Sequence, residues 1–136
     1  MSNMAQHEDR GTRMARIVWP CEHGLLFLCS PAGPRDHAAL PTSGRSAHAL
    51  EESLAIAVRH YVDGDVTVDV WDGPAKPLPD SETVFAGILN LGGEDLMLTD
   101  TEDRLRIRFP ASASCRLVVR AQGVPHVRHL VVELHD

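Results

Sequence analysis

The chain has 136 residues, enough for one domain built around one core, and its aromatic content is low at two Trp, one Tyr and three Phe. Nineteen acids against 13 bases give a formal net charge of −6, which argues against a generic nucleic-acid binder. No apolar run approaches the roughly 20 residues that a membrane-spanning helix requires, so neither direct nucleic-acid contact nor a membrane partner is expected.

The first 12 residues are polar and predict a mobile tail, with residues 13–136 forming the folded domain. No signal-like apolar stretch appears there. The three cysteines, Cys21, Cys29 and Cys115, form an odd set that suits buried thiols in a reducing cytoplasm.

Two short apolar runs, residues 14–19 and 25–29, read as strands separated by Pro20 and Gly24. Residues 30–48 are rich in Pro, Gly, Ala and Ser without a period, and read as a loop. Residues 47–61 are ambiguous: Leu50, Leu54, Ala57 and Tyr61 fall at helical spacing, whereas residues 55–59 alternate. Because Asp63-Gly64 is a strong hairpin dipeptide, we expect a hairpin of residues 55–61 with 65–71, preceded by a short helical turn at 50–53. Residues 72–80 contain three prolines and a glycine, the composition of an extended segment joining two sheets. Residues 83–91 form the next strand, which Gly92-Gly93 turns back into 96–99. After an acidic turn at 100–103, Leu105, Ile107 and Phe109 alternate with Arg104, Arg106 and Arg108. Leu117 and Val119 alternate with Arg116 and Arg120, and Leu130, Val132 and Leu134 close the pattern.

Eight or nine short strands with turns at regular spacing predict an all-β protein, a single antiparallel β-sandwich with Greek-key or jelly-roll character. Its expected core comprises Val18, Leu26, Leu28, Ile56, Val58, Val66, Val68, Val70, Ile88, Leu96, Leu98, Leu105, Ile107, Phe109, Leu117, Val119, Leu130, Val132 and Leu134.

Charge is unevenly spread. Residues 50–103 hold 13 acids and only Arg59 and Lys76 as bases, while the remainder holds six acids and 11 arginines. The sharpest cluster is Glu94, Asp95, Asp100, Glu102 and Asp103, in the turns at either end of one strand, where a common rim would present an acidic surface to a basic partner. A solvated surface serving solubility is the competing reading. Arg104, Arg106 and Arg108, spaced about 6.8 Å apart along one strand face, would form a basic patch. They would be joined by Arg116 and Arg120 across a hairpin, or would pair with acids such as Asp69 on a neighbouring strand.

Eight histidines raise the question of a metal. His126, His129 and His135, and the Cys21-Glu22-His23 turn, lack the paired ligand spacing of a structural zinc site, and no EF-hand order is present. No cofactor is therefore expected. Histidines from distant strands could still assemble in the central pocket of a small-molecule-binding or metal-dependent β-barrel enzyme, which is the alternative reading. Neither a GxSxG elbow nor a glycine-rich phosphate loop is present. Trp19 and Trp71 read as core or half-buried anchors.

The blocks Leu105-Arg-Ile-Arg-Phe-Pro, Cys115-Arg-Leu-Val-Val-Arg-Ala and Val127-Arg-His-Leu-Val-Val-Glu-Leu, with the upstream strand at 66–73, resemble the C-terminal half of the competence protein J (ComJ) family of small bacterial β-sandwich proteins. The resemblance covers roughly residues 55–134. This chain departs from the family pattern in having Ala111-Ser-Ala-Ser before the arginine-bearing strand and Leu134-His-Asp at the end. The resemblance implies a non-enzymatic inhibitor or immunity protein whose partner is a nuclease. The charge pattern, independently of the resemblance, offers Glu94, Asp95, Asp100, Glu102, Asp103, Arg104, Arg106 and Arg108 as the candidate partner-binding residues. An exposed edge strand would offer a route to a homodimer.

Overall fold

A computed structural model describes residues 11–31, 47–50, 53–93 and 95–135. These residues form ten strands in two five-stranded sheets. Sheet A has the order β1 (Thr12–Trp19), β5 (Val66–Asp72), β10 (His129–His135), β9 (Ser114–Gln122) and β6 (Ser81–Asn90). Sheet B has the order β3 (Ala47–Leu50), β4 (Ser53–Ala57), β2 (Leu25–Cys29), β7 (Asp95–Asp100) and β8 (Arg106–Pro110). The chain is thus an all-β sandwich. Every neighbouring pair is antiparallel except β5 and β10, which run parallel from Thr67 opposite His129 to Asp72 opposite Leu134. Among the described residues no helix is long and apolar enough to cross a membrane.

Period-two alternation builds the core. Val66, Val68 and Val70 on β5, Leu117 and Val119 on β9, and Leu130, Val132 and Leu134 on β10 meet Leu26, Leu28, Leu54, Ile56, Leu96 and Leu98 from sheet B. Each fully buried aliphatic side chain stabilises the fold by roughly 1.5–3 kcal/mol relative to exposure. Phe27, Cys29, Ala55 and Met97 form a second buried cluster on the other face of sheet B. Strands β2, β4 and β7 are therefore covered on both faces, which explains why Leu25-Leu-Phe-Leu-Cys reads as a continuous apolar run. The three cysteines are free and buried.

Two expected core residues lie outside. Val18 is 56% exposed and Ile88 is 61% exposed. Each has an apolar neighbour, Ile17 or Trp19 and Leu89, that takes the inward place. Where apolar residues are adjacent, alternation does not choose between faces, and a one-residue slip inverts the strand. Both strands also carry a register irregularity, at Arg13/Ala15 in β1 and Thr83/Phe85 in β6.

The connections differ from expectation more than the strands do. Residues 55–61 and 65–71 do not form a hairpin: β4 pairs with β2 and β3, whereas β5 pairs with β1 and β10. Between them a 3-10 turn at Tyr61–Asp63 and Gly64, at φ 124°, carry the chain from sheet B to sheet A. The segment through Gly92 likewise leaves β6 in sheet A and enters β7 in sheet B. In both cases apolar stripes that face each other across the core have the same alternation as stripes side by side in one sheet. Residues 50 and 53 are strand, not the expected helical turn, residues 47–48 are strand where the end of the loop was expected, and residues 51–52 lie outside the described residues. Thr12 and Gly11 are ordered into the fold, since Thr12 opens β1 and Gly11 N–H donates to the Pro74 carbonyl at 2.7 Å. Residues 1–10 and most of the expected 30–48 loop lie outside the described residues.

Residues 73–80 do not join two sheets. They link β5 to β6 within sheet A and form a strap over its outer face, across β10 and β9. Gly73 N–H donates to the Leu134 carbonyl at 2.8 Å, and Gln122 Nε2 donates to the Pro79 carbonyl at 2.8 Å. Pro74, Pro77 and Pro79 hold the strap extended and remove three N–H donors that would otherwise need partners.

Candidate functional site

Two polar regions emerge from this frame. The first is one end of the sandwich, where the β1–β2 turn, residues 58–65 and the β7–β8 turn converge. The pairing register brings them together: Trp19 lies opposite Val66, Leu25 opposite Ala57, and Leu26 opposite Asp100. Tyr61 N–H donates to the Cys21 carbonyl at 3.0 Å, tying two of the three segments.

Asp100 organises this end from beneath. It is buried, and its Oδ1 accepts from the N–H groups of Glu102 at 3.2 Å, Arg104 at 3.0 Å and Leu105 at 3.4 Å. Its Oδ2 accepts from the Trp19 indole at 3.2 Å. An aspartate of this kind shapes its own turn by presenting acceptors to following amides. Asp103 completes the turn at φ 60°, with Thr99 Oγ1 donating to its Oδ1 at 3.2 Å.

Above Asp100 sits an exposed ionic chain. Arg104 Nη1 donates to Glu22 Oε1 at 2.7 Å, Arg104 Nε lies 3.2 Å from Glu102 Oε2, and His23 Nε2 lies 2.8 Å from Glu102 Oε1. The His23 hydrogen bond and the Arg104 charge hold the Glu102 carboxyl below its ordinary value of 4.5. Glu22, His23 and Glu102 each bring a ligand atom within 4.8 Å of the others. Arg104 bridges both carboxylates of that trio, and its single positive charge leaves one negative charge unbalanced between them. Beside them Tyr61 and Val62 stand 51% and 72% exposed, next to Asp63 and Asp65. The Arg59 guanidinium turns to the Asp65 carbonyl oxygen, donating through Nε at 2.8 Å.

The second region is the outer face of sheet A under the strap. Asp69 on β5 is buried there. Arg16 from β1, directly opposite in register, grips it through Nε at 2.7 Å and Nη2 at 3.1 Å. His129 Nε2 lies 2.7 Å from Asp69 Oδ2, and Arg13 is a longer-range neighbour at 3.9 Å. Glu133 on the adjacent β10 is also buried. It takes a short charge-assisted hydrogen bond from Arg120, one from the Ala75 N–H of the strap at 2.9 Å, and lies 3.0 Å from His135 Nε2. Burial alone would raise both carboxyls. For Asp69 the hydrogen bonds from Arg16 and His129 outweigh it, and for Glu133 those from Ala75, His135 and Arg120 do so, leaving both below their ordinary values of 3.8 and 4.5. Beside Asp69 the strap roofs a cavity of about 410 Å³.

The sequence-predicted site residues are only partly brought together. Glu102, Asp103 and Arg104 share the sandwich end with Asp100, which is buried and structural rather than displayed. Asp95 lies at the far end of β7, opposite Pro110 and 3.9 Å from Arg108. One strand of six residues separates it from Asp100, so the expected common rim does not form. Glu94 lies outside the described residues. Arg106 and Arg108 project from edge strand β8 of sheet B, and Arg116 and Arg120 sit in sheet A, so the five arginines do not make one patch. Asp69 pairs with Arg16, not with the β8 arginines. The five histidines whose side chains are described do not line a central pocket: His129 and His135 lie on the outer face of sheet A, and His23, His60 and His126 are exposed.

The sequence marks Glu22 and His23 only as one turn with Cys21, and their meeting with Glu102 and the Tyr61-Val62 tip were missed, because three distant segments build that end. Asp69 and Glu133 did leave a signal, since each is an acid flanked on both sides by apolar residues within a strand, Val68-Asp-Val and Val132-Glu-Leu.

No protein-family model and no curated protein matches the sequence. The fold itself belongs to a known class of β-sandwich, that of ComJ. The crystal structure of ComJ from Bacillus subtilis, described as an inhibitor of the DNA degrading activity of NucA, matches with a TM-score of 0.69. The match covers 93% of this chain and 98% of that one, at 7% sequence identity. The relationship is one of fold.

Proposed function

We propose that this protein is a non-enzymatic binding module that inhibits a nuclease by docking its acidic sandwich end onto the enzyme's basic surface. The observation that carries the reading is the fold shared with ComJ, a nuclease inhibitor, along nearly the whole of both chains. The docking surface follows from chemistry. A nuclease must hold phosphates, so its cleft is lined by cations. Glu22, Asp63, Asp65, Glu102 and Asp103 share this end of the sandwich with the exposed Tyr61 and Val62, which sets acidic groups beside an apolar, aromatic tip. Such complementarity accelerates association and fixes orientation. Arg106 and Arg108 on the neighbouring β8 edge would repel the enzyme's cations and so restrict the docking register. The protein acts in a reducing compartment, where its three cysteines remain buried thiols.

The test is affinity capture from the native lysate with elution in raised salt, followed by a DNA-degradation assay of the purified captured protein. The reading expects a basic nuclease whose activity falls on adding this protein. The combined Asp65→Lys and Glu102→Lys variant should fold normally and fail to inhibit. A captured nuclease that this protein leaves fully active, or full inhibition by the variant, overturns it.

A further inference from the structure

The cavity under the strap is distinct from the proposed docking end. Its polar lining is Arg13, Arg16, Lys76, Asp69 and His129, and its apolar walls include Trp71 and Leu78. At about 410 Å³ it falls within the size range of small-molecule sites. Three permanent cations face one carboxylate, in a chain whose net charge is −6.

The carboxylate is already committed. Arg16 and His129 occupy both oxygens of Asp69, so its charge is spent on holding the sheet together. Arg16 uses Nε and one Nη2 hydrogen in that grip, and the rest of its five N–H donors remain in a fixed fork. Arg13 reaches Asp69 only at 3.9 Å, and Lys76 has no carboxylate partner among the described residues. Two cations with unspent charge therefore converge beside a third that is pre-oriented, the arrangement that recognises a phosphate group. Trp71 projects from the outer face of β5, next to Leu78 and Pro77 of the strap, and these apolar walls suit a planar ring.

We propose that this cavity binds a small phosphorylated aromatic molecule of nucleoside-monophosphate size, with the phosphate on Arg13, Arg16 and Lys76 and the ring against Trp71. This goes beyond the nuclease-inhibitor reading and does not depend on it.

The probes are adenosine 5′-monophosphate, inorganic phosphate and a 5′-phosphorylated hexanucleotide, titrated into the full chain by calorimetry and tryptophan fluorescence. The monophosphate should bind at least about fivefold more tightly than inorganic phosphate and perturb tryptophan emission, fivefold being about the low end of what stacking a base on an aromatic side chain supplies. Arg13→Gln and Lys76→Gln each remove an exposed cation that the fold does not need. Each should weaken binding at least about tenfold with an unchanged melting temperature. Trp71→Leu should reduce the monophosphate to the affinity of phosphate. No binding, equal binding of phosphate and monophosphate, unchanged binding by Arg13→Gln and Lys76→Gln, or tighter binding of the hexanucleotide would each overturn the assignment.

Discussion

Asp69 and Glu102 have nearly the same partners and play opposite parts. Each carboxylate has one arginine and one histidine within 3.2 Å, Arg16 and His129 for Asp69, Arg104 and His23 for Glu102, and Asp69 has Arg13 as a further partner at 3.9 Å. Their side chains are 5% and 36% exposed. In the covered setting a broken contact leaves a polar group unable to reach water. In the open setting water replaces each contact at little cost. Burial, not pairing, separates the carboxylates that hold sheet A together from those free to meet a partner.

The largest expected effect is on the covered side. Asp69→Ala or Glu133→Ala should each cost about 2 kcal/mol, the range for hydrogen bonds to a buried charged group. Urea unfolding measures this, and a cost below about 0.5 kcal/mol, typical of a surface site, would erase the contrast between the two regions. Glu133→Ala should also speed hydrogen exchange at the Ala75 amide, which loses its acceptor.

Acid should act in the same place. The Asp69 and Glu133 carboxyls are held below 3.8 and 4.5, so their stabilisation is complete above those values and is lost as pH falls through the lowered ones. Thermal melts across that range should show a steep acid limb in the native chain. The limb should be shallower in an Asp69→Asn, Glu133→Gln double variant, and an unchanged slope would mean that other groups govern acid unfolding.

A smaller effect tests the strap. Gly73 sits at φ 91°, with the Gly11 Cα 3.2 Å from where a Cβ would stand. Gly73→Ala should cost about 1–2 kcal/mol, since both the backbone and the neighbour must give. An unchanged urea midpoint would indicate that the strap adjusts without loading sheet A. The smallest effect belongs to the open end: Glu102→Ala should leave the melting temperature unmoved at physiological salt. A clear drop there would assign Glu102 to the structural set beside Asp69.

The strands were largely legible because their physics is local. Val66-Thr-Val-Asp-Val and Leu130-Val-Val-Glu-Leu announce a pleated ribbon with one buried face, and Asp63-Gly64 announces a change of direction. The hairpins read across Asp63-Gly64 and Gly92-Gly93 were not formed, because opposing stripes of a sandwich and neighbouring stripes of a sheet carry the same pattern. The acidic cluster was half legible: Glu102 and Asp103 are on the surface together, while Asp95 went to the opposite end of β7 and Asp100 went underneath.

By itself, the sequence determined the all-β class, most of the core and the position of its turns, since alternation and glycine chemistry act over a few residues. The tertiary structure alone decided the parallel pairing of β5 with β10, the strap over β10 and β9, and the joining of Glu22 to Arg104 across 82 positions. It also decided which acids are covered. Two aspartates with the same chemistry are told apart only by what packs over them, and that depends on chain segments far away in sequence.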